Sequence, residues 1–354
     1  MLELLRELVE IESPAYSPGA RTVAERMRRE LEAPDAAVRL LEGGHLRAEL
    51  AGDGPPLLLL GHVDTVWPVG TIATMPFRVE GDRAFGPGAY DMKGGLVVLT
   101  EAIRLAGERR RALRVFLTAD EEMGSRSARP LLEEAADGVA AALVFEPPTH
   151  EGDVKTARKG LGRFALTITG RAAHAGTDRA KGASAIEELA HQILVLHSLN
   201  DDDRGISVNV GVVEGGTAEN VVAASATAQV DVRIAHSADR ERVEHALGQL
   251  EPVLAGTALQ LRGGWTRPPL EPSPGSAALF AKARAYGRAL GLDVGEAASG
   301  GGSDGNIVGA LGVPVLDGLG AEGGGAHAVD EHVLLESIPE RAELASRLLR
   351  DPGL

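Results

Sequence analysis

The chain has 354 residues, with 51 acidic and 36 basic side chains and a net charge of −15. This length is typical of two domains and can bury a core without disulfide bonds or structural metals. The acidic balance argues against nucleic acid as the main partner, because phosphate binding requires a basic face. The sequence contains no cysteine, which excludes disulfide bonds, cysteine-ligated zinc, iron–sulfur clusters and thiol nucleophiles.

The composition is that of a folded globular protein, with 44% hydrophobic and 25% charged residues. No stretch reaches the roughly 18 apolar residues that a membrane-spanning helix requires. Leu4, Leu5, Leu8 and Ile11 give the N-terminal segment an amphipathic helical pattern, without the basic start and apolar core of a signal peptide. We therefore expect a cytoplasmic protein that binds neither membranes nor nucleic acid.

Apolar strand-like runs alternate with helical stretches in the first part of the chain. Strands are predicted at 57–60, 113–118 and 141–145, and helices at 94–108 and 125–136. Such alternation indicates parallel β–α units, so the predicted fold class is α/β.

A different pattern begins after Lys159. The predicted order is β-α-β-β-α-β, at 164–170, 183–197, 206–213, 226–234, 238–250 and 258–262. This is the order of a ferredoxin-like domain. The segment rich in proline and glycine at 262–275 is interpreted as a linker, and a helix is predicted at 276–290. We therefore predict a discontinuous first domain, 1–159 and 268–354, with an inserted domain, 160–267.

Two segments offer candidate metal ligands. GHVDTV places His62 and Asp64 on one side of an extended backbone, where one side chain can bind a cation and the other can orient it. GPGAYDMKGG places Asp91 before a helix, where its two oxygens can bridge two cations. A polar loop and a helix N-cap are the structural alternatives.

Acidic residues also follow two further strands. TADEEMGS carries Glu121 and Glu122, whose side chains point in different directions, so that one can bind metal while the other holds a proton. Their spacing does not decide which of the two glutamates binds metal and which holds the proton. VFEPP places Glu146 after another strand. An acidic helix start and a solvated turn are the alternatives for these acids.

The last candidate is His327, in the glycine-rich segment GGGAHAVDEH, where a surface histidine is the alternative. The complete candidate set is His62, Asp91, Glu122, Glu146 and His327. The first four follow strands or precede a helix, where α/β proteins place their sites. Two histidines and three carboxylates suit two zinc ions that share a bridging carboxylate, although Co²⁺ and Mn²⁺ also accept these ligands.

These segments, with GRAAHAG, ASATAQVDVR and SGGGSDGN, occur in the order found in a known enzyme family. The chain resembles the M20 metallopeptidase family, and most its glutamate carboxypeptidase (carboxypeptidase G2-like) branch. The resemblance implies a zinc-exopeptidase-like catalytic domain with an inserted dimerisation or lid domain, and therefore a homodimer. It also implies a cis peptide bond between Asp91 and Met92.

The resemblance further implies roles for individual residues. The five candidates become zinc ligands, with Asp91 as the bridge; Glu121 is the general acid/base and Asp64 supports His62. In the inserted domain, His174 is expected to reach the active site of the partner subunit.

Three more residues of the inserted domain are expected to bind substrate. Asn220 and Arg233 match residues that hold a substrate carboxylate, which the planar fork of an arginine binds through both oxygens. Arg267 is a candidate for reading an acidic side chain of the substrate. A surface turn is the alternative for His174, and a solvated linker arginine for Arg267.

The implied activity is hydrolysis of the amide bond before a C-terminal amino acid, in a small peptide or N-acyl amino acid, with two zinc ions per subunit. Deacylation of the acetylornithine or succinyl-diaminopimelate type, and dipeptidase or aminopeptidase activity, are the open alternatives. A non-catalytic binding protein of the same fold is disfavoured, because Glu121 and all five candidate ligands are retained.

Overall fold

A computed structural model describes residues 1–353, which separate into two compact units. The first contains residues 1–158, 270–299 and those from 303 onward, and the second contains 159–269 and 300–302. The domain boundaries expected from the sequence lie within two residues of the divisions around the long insertion. That the short glycine segment 300–302 groups with the second unit was not expected.

The first segment of the chain contributes four helices and eight strands to the first unit. They are α1 (Leu2–Glu10), α2 (Pro18–Leu31), β1 (Ala36–Leu40), β2 (Leu46–Leu50), β3 (Asp53–His62), β4 (Arg78–Glu80), β5 (Arg83–Phe85), α3 (Gly94–Ala106), β6 (Arg111–Thr118), α4 (Arg129–Ala135), β7 (Ala141–Val144) and β8 (Val154–Arg158).

The insertion and the returning segment contribute the remaining elements. The insertion contains β9 (Gly160–Thr169), α5 (Ala185–His197), β10 (Ser207–Gly215), β11 (Ser225–Ile234), α6 (Asp239–Gly248) and β12 (Ala258–Arg267). The return contains α7 (Pro274–Leu290), β13 (Glu296–Ser299), α8 (Asp304–Gly309), β14 (Val315–Leu316), β15 (Gly323–Gly324), β16 (His332–Leu334) and α9 (Ser337–Leu349).

A six-stranded sheet forms the centre of the first unit, in the order β1-β2-β6-β3-β7-β14. The four strands β6, β3, β7 and β14 are parallel; β2 pairs with β6, and β1 with β2, in antiparallel orientation. Leu57 and Leu59 pack in one apolar cluster while Leu58 and Leu60 pack in another. The alternation of side chains along β3 therefore buries both faces of the sheet, as a parallel sheet requires.

The second unit has the predicted ferredoxin-like order. Its antiparallel sheet runs β10-β11-β9-β12, which is 2-3-1-4 in the order of strands within the insertion. Alternate residues such as Leu166, Ile168, Val230 and Val232 are buried against α5 and α6 in a separate apolar core. Strand β10 stands at one edge of this sheet, with one side unpaired within the unit.

The ends of the insertion meet in the first unit. The backbone N–H of Arg158 donates to the carbonyl of Leu270 at 3.0 Å, and the N–H of Leu270 donates back at 2.9 Å. The chain thus leaves the first unit and returns to it at one paired position.

Two sequence predictions of secondary structure were wrong in part. Helix α4 begins only at Arg129, because Glu121–Met123 forms a 3-10 turn and Ser125 has a left-handed φ of 52°. The predicted linker at 262–275 is a strand up to Arg267, since the backbone of β12 continues to pair with β9. Gly263 and Gly264 interrupt the side-chain pattern by which a strand is recognised.

Among the described residues, none of the helices combines the length and the apolar character needed to span a bilayer.

Candidate active site

The candidate ligands follow the carboxyl ends of adjacent parallel strands. His62 is the last residue of β3, Glu122 lies in the turn after β6, and Glu146 is two residues beyond β7. Strand β3 pairs with both β6 and β7 in parallel, so the three strand ends lie side by side. This edge is where open α/β sheets collect functional side chains.

Asp91 reaches the same place from a turn of π-helix, Ala89–Lys93, that precedes α3. Gly88 before it has a left-handed φ of 73°, and an added Cβ there would lie 2.4 Å from Thr65 Cγ2. An added Cβ at Gly95 would lie 2.0 Å from the carbonyl oxygen of Phe145. Both positions therefore require glycine. The Asp91–Met92 peptide bond is cis, as the family resemblance implies.

The five candidate ligands form two groups that share Asp91. Asp91 Oδ1 lies 3.2 Å from His62 Nε2, and Glu146 Oε1 lies 3.6 Å from the same nitrogen. Asp91 Oδ2 lies 3.4 Å from His327 Nε2, which is also 3.4 Å from Glu122 Oε1. We call these groups the His62 side and the His327 side. Each offers one imidazole and one carboxylate in addition to its share of Asp91.

The electrostatics of this cluster favour positive charge. Burial, together with the charge of Asp91, raises the pKa of Glu146 to about 7. Hydrogen bonds with Asp91 and Glu122 raise the pKa of His327 to about 10. Burial alone would lower the pKa of His62, but the carboxylates of Asp64 and Asp91 hold it well above its usual value. Three clustered carboxylates and two imidazoles suit divalent cations, and the shared Asp91 suits a pair of them.

Asp64 joins the first ligand to the turn after β6. His62 Nδ1 lies 3.0 Å from the backbone carbonyl of Asp64 and 3.4 Å from its carboxylate. The two carboxylate oxygens of Asp64 accept the backbone N–H groups of Glu121 and Glu122, each at 3.1 Å. Asp64 is completely buried, so these contacts orient both the imidazole and the acidic turn.

Glu121 and Glu122 approach different partners. A carboxylate oxygen of Glu121 lies within 4.8 Å of ligand atoms of His62 and Glu146, whereas Glu122 groups in the same way with His62 and Asp91. Glu122 also forms an ion pair with His327, as Asp91 does, each at 3.4 Å. Neighbouring acids thus face different parts of the cluster.

A second buried carboxylate supports this turn, and the sequence analysis did not single it out. Asp304 accepts a hydrogen bond from Thr118 Oγ1 at 2.7 Å and another from the hydroxyl of Ser125. These residues stand on either side of Glu121 and Glu122. The sequence analysis used the segment SGGGSDGN, which contains Asp304, only for the family resemblance, and this acid was the available signal.

A chain of hydrogen bonds beneath the turn was also missed. The N–H of Ala119 donates to His45 Nδ1 at 3.0 Å, which leaves Nε2 as the protonated nitrogen of a neutral ring, 3.2 Å from Ser127 Oγ. Ser127 Oγ in turn donates to the carboxylate of Asp120 at 2.8 Å. Burial lowers the pKa of His45, in agreement with a neutral ring. Nothing in the sequence near His45 signals this role.

The candidate substrate residues all belong to the second unit. His174 is exposed, and its Nδ1 accepts the backbone N–H groups of Gly176 and Thr177, which leaves its Nε2–H as a donor. Asn220 lies on the neighbouring segment, where its backbone carbonyl accepts the N–H of Ala175 at 2.9 Å. The structure thus brings His174 and Asn220 together.

Arg233 and Arg267 lie elsewhere in this unit. Arg233 forms an ion pair with Asp231 at 2.8 Å and donates to the carbonyl of Gly300 at 2.6 Å. Arg267 is only 3% exposed at the end of β12, so the alternative of a solvated linker arginine is wrong. Asn220 precedes the start of β11 and Arg233 is near its end, and the strand from Ser225 to Arg233 spans about 26 Å at the usual rise per residue.

Comparison with known proteins agrees with this site. Residues 58–351 match the model of peptidase family M20/M25/M40. The chain is 34% identical over 328 residues to carboxypeptidase G2 of Pseudomonas sp. (strain RS-16), covering 89% of this chain and 78% of that protein. It is 30% identical to succinyl-diaminopimelate desuccinylase of Ectopseudomonas mendocina (strain ymp), and the match covers 95% of this chain and 94% of that protein.

Solved structures show the same fold. The crystal structure of aminopeptidase PepT from Bacillus cereus ATCC 10987 superposes with a TM-score of 0.82 at 20% identity, covering 99% of this chain and 97% of that one. Sequence match, fold and clustered ligands agree. The chain therefore belongs to peptidase family M20/M25/M40, as a metal-dependent hydrolase of the carboxypeptidase G2-like branch.

Proposed function

We propose that the protein is a dizinc exopeptidase that hydrolyses the amide bond before a C-terminal amino acid. The observation that carries the proposal is the pair of ligand groups that share the two oxygens of Asp91. His62 and Glu146 would hold one zinc ion, and His327 and Glu122 the other. The 34% identity to a carboxypeptidase over 89% of the chain supports this substrate class.

The side chains around the site define the proton transfers. Two zinc ions in such a site supply Lewis acidity, which acidifies water and polarises a carbonyl group. Glu121, as general base, accepts a proton from the attacking water and returns it to the leaving amine as general acid. Asp64 holds the backbone of Glu121 and Glu122 in place during both transfers.

Substrate recognition is assigned to the second unit. Arg233 is proposed to bind the substrate carboxylate as a bidentate fork. Asn220 and His174 lie at the other end of β11, so one amino acid cannot contact all three within a single chain. We therefore propose a homodimer in which the partner subunit contributes the His174 end. Arg267 is proposed to support this region from within, because it is buried.

The surface of the second unit supports a dimer. Leu194 is 71% exposed on α5, and Val212 and Val213 are each more than half exposed on β10. Strand β10 also has an unpaired edge within its sheet, which offers backbone groups to a second copy.

The cytoplasmic location expected from the N-terminal sequence stays a prediction.

Deacylation is the second candidate function, because the 30% identity to a desuccinylase covers 95% of the chain. Amino-acid release from matched benzoyl- and acetyl-dipeptides, N-acetylornithine and N-succinyl-diaminopimelate distinguishes the two. We expect zinc-loaded protein to release the C-terminal residue of the dipeptides, and chelated protein to release none. Cleavage confined to the acetyl and succinyl amides would instead assign the deacylase function.

A further inference from the structure

Glu331 is a completely buried carboxylate four residues after His327. It is neither a candidate ligand nor part of the proposed proton transfers. Its Oε1 accepts the backbone N–H groups of Tyr90 at 3.1 Å and Asp91 at 3.0 Å. Its Oε2 accepts the N–H of Gly88 at 2.9 Å and the indole N–H of Trp67 at 2.7 Å. Both oxygens are thus occupied, and all four donors come from two loops of the site.

The two oxygens of Glu331 hold the segment that carries Asp91. Three of the four donors are backbone N–H groups of residues 88–91, which converge on one anion because Gly88 is left-handed. Such a convergence of backbone N–H groups in one turn binds negative charge. The conformation of the loop before the bridging carboxylate therefore depends on Glu331.

The backbone of Glu331 also closes the loop that carries His327. Its N–H donates to the carbonyl of Ala328 at 3.0 Å, and its carbonyl accepts the N–H of Gly86 at 3.2 Å. Within this loop His327 has a left-handed φ of 62°, which is unfavourable for a residue with a side chain. Surrounding contacts must therefore hold it, and Glu331 provides two of them at the end of the loop.

We propose that Glu331 is a positioning residue that sets the placement of His327 relative to Asp91 and thereby the zinc affinity of the His327 side. This inference rests on the proposed dizinc function. Glu331 contacts both loops, whose ligand atoms Asp91 Oδ2 and His327 Nε2 lie 3.4 Å apart. Toward the His62 side, Glu331 contacts the backbone N–H of the shared Asp91 and the indole of Trp67, five residues after His62.

The test is a zinc titration of full-length protein against a chromogenic chelator, with Co²⁺ absorption as a second readout. Glu331→Gln is nearly isosteric, but its amide nitrogen cannot accept the two N–H groups that one carboxylate oxygen accepts now. His327→Ala defines the reference state with one intact side. The matched control is Asp330→Asn, which makes the same charge change at the adjacent exposed residue.

We expect wild type and Asp330→Asn to bind two zinc ions. Glu331→Gln should bind one ion within about threefold of wild-type affinity and the second at least tenfold more weakly, the range that supporting residues of metal sites show. Its Co²⁺ spectrum should resemble that of His327→Ala. Two ions bound with unchanged affinity, or equal weakening of both, would overturn the inference.

Two further results separate the possible failures. A wild type that binds fewer than two zinc ions overturns the dizinc proposal itself, whatever Glu331→Gln does. If Glu331→Gln does not fold, Glu331→Asp decides, because it keeps the charge but is shorter by one methylene group. The selective tenfold loss is expected for Glu331→Asp as well, and its absence would contradict the role of Glu331.

Discussion

At the scale of single residues, the position of Glu121 depends on the carboxylate of Asp64, which precedes it by 57 positions. Because Asp64 accepts the backbone N–H of Glu121, this support of the Glu121 backbone does not involve the Glu121 side chain. The same carboxylate holds Glu122, so the proposed base and a proposed ligand share one support. A substitution at the Glu121 side chain should therefore alter chemistry and leave metal binding intact.

Glu121→Gln tests this separation. We expect at least a hundredfold loss of kcat, since general acid–base catalysis contributes about 10²–10⁴-fold. Zinc content should stay at the wild-type level, measured by atomic emission on the same preparation. The control is Glu151→Gln, at an exposed position of the same unit. Retained turnover would show that another group moves the proton.

The turn after β6 is the element on which the site depends most. It is held by Asp64 at Glu121 and Glu122, by Asp304 at Thr118 and Ser125, and by Asp120 at Ser127. Ser125 adopts a left-handed backbone in this turn, which again requires support from its surroundings. The acidic run is thus a rigid element built by buried hydrogen bonds.

Asp304→Asn should loosen this element. The new amide nitrogen cannot accept from one of the two hydroxyl groups, and a buried unpaired donor costs about 1–3 kcal/mol. We expect that loss in the free energy of unfolding in urea, with a lower kcat and little change in KM. Asp293→Asn, at an exposed position, should change neither quantity. An unchanged kcat would remove Asp304 from the support of the turn.

Elements with strong side-chain periodicity could be predicted from the sequence, and elements defined by backbone contacts could not. The buried run Leu57–Leu60 and the helix after Gly94 were recognisable because apolar residues mark them. The end of β12 was not, since its glycines carry no such pattern and only pairing with β9 maintains the strand. Helix α4 was predicted too long because Ser125 is held by a hydrogen bond to Asp304, which lies 179 positions away in the sequence.

The candidate site divides in the same way. His62, Asp91 and His327 could be found because their side chains suit metal binding and the family resemblance places them. Glu331 and His45 act by accepting backbone N–H groups, and nothing in an acid or a histidine reveals such a partner. The burial of Arg267 could not be predicted, because it follows from the end of β12, which the sequence did not reveal.

Assembly belongs to the scale of the whole molecule. Leu194→Glu replaces an apolar side chain that is 71% exposed on α5, so we expect little effect on the thermal midpoint. If this surface forms the dimer, the mass by light scattering should fall from twice 36.8 kDa to 36.8 kDa. Leu311→Glu, at another exposed leucine, should leave the mass unchanged. A wild type with the mass of one chain would contradict the dimer.

The paired backbone of Arg158 and Leu270 bears on how such a chain could have originated. An insertion that leaves and returns at one hydrogen-bonded pair keeps its two ends adjacent, so a two-residue hairpin could close the same gap. The peptidase core could therefore acquire, exchange or lose the intervening hundred or so residues in one genetic event without a change of its sheet. The proposed substrate contacts and subunit association would then change with the insertion, while the candidate metal ligands stay in the first unit.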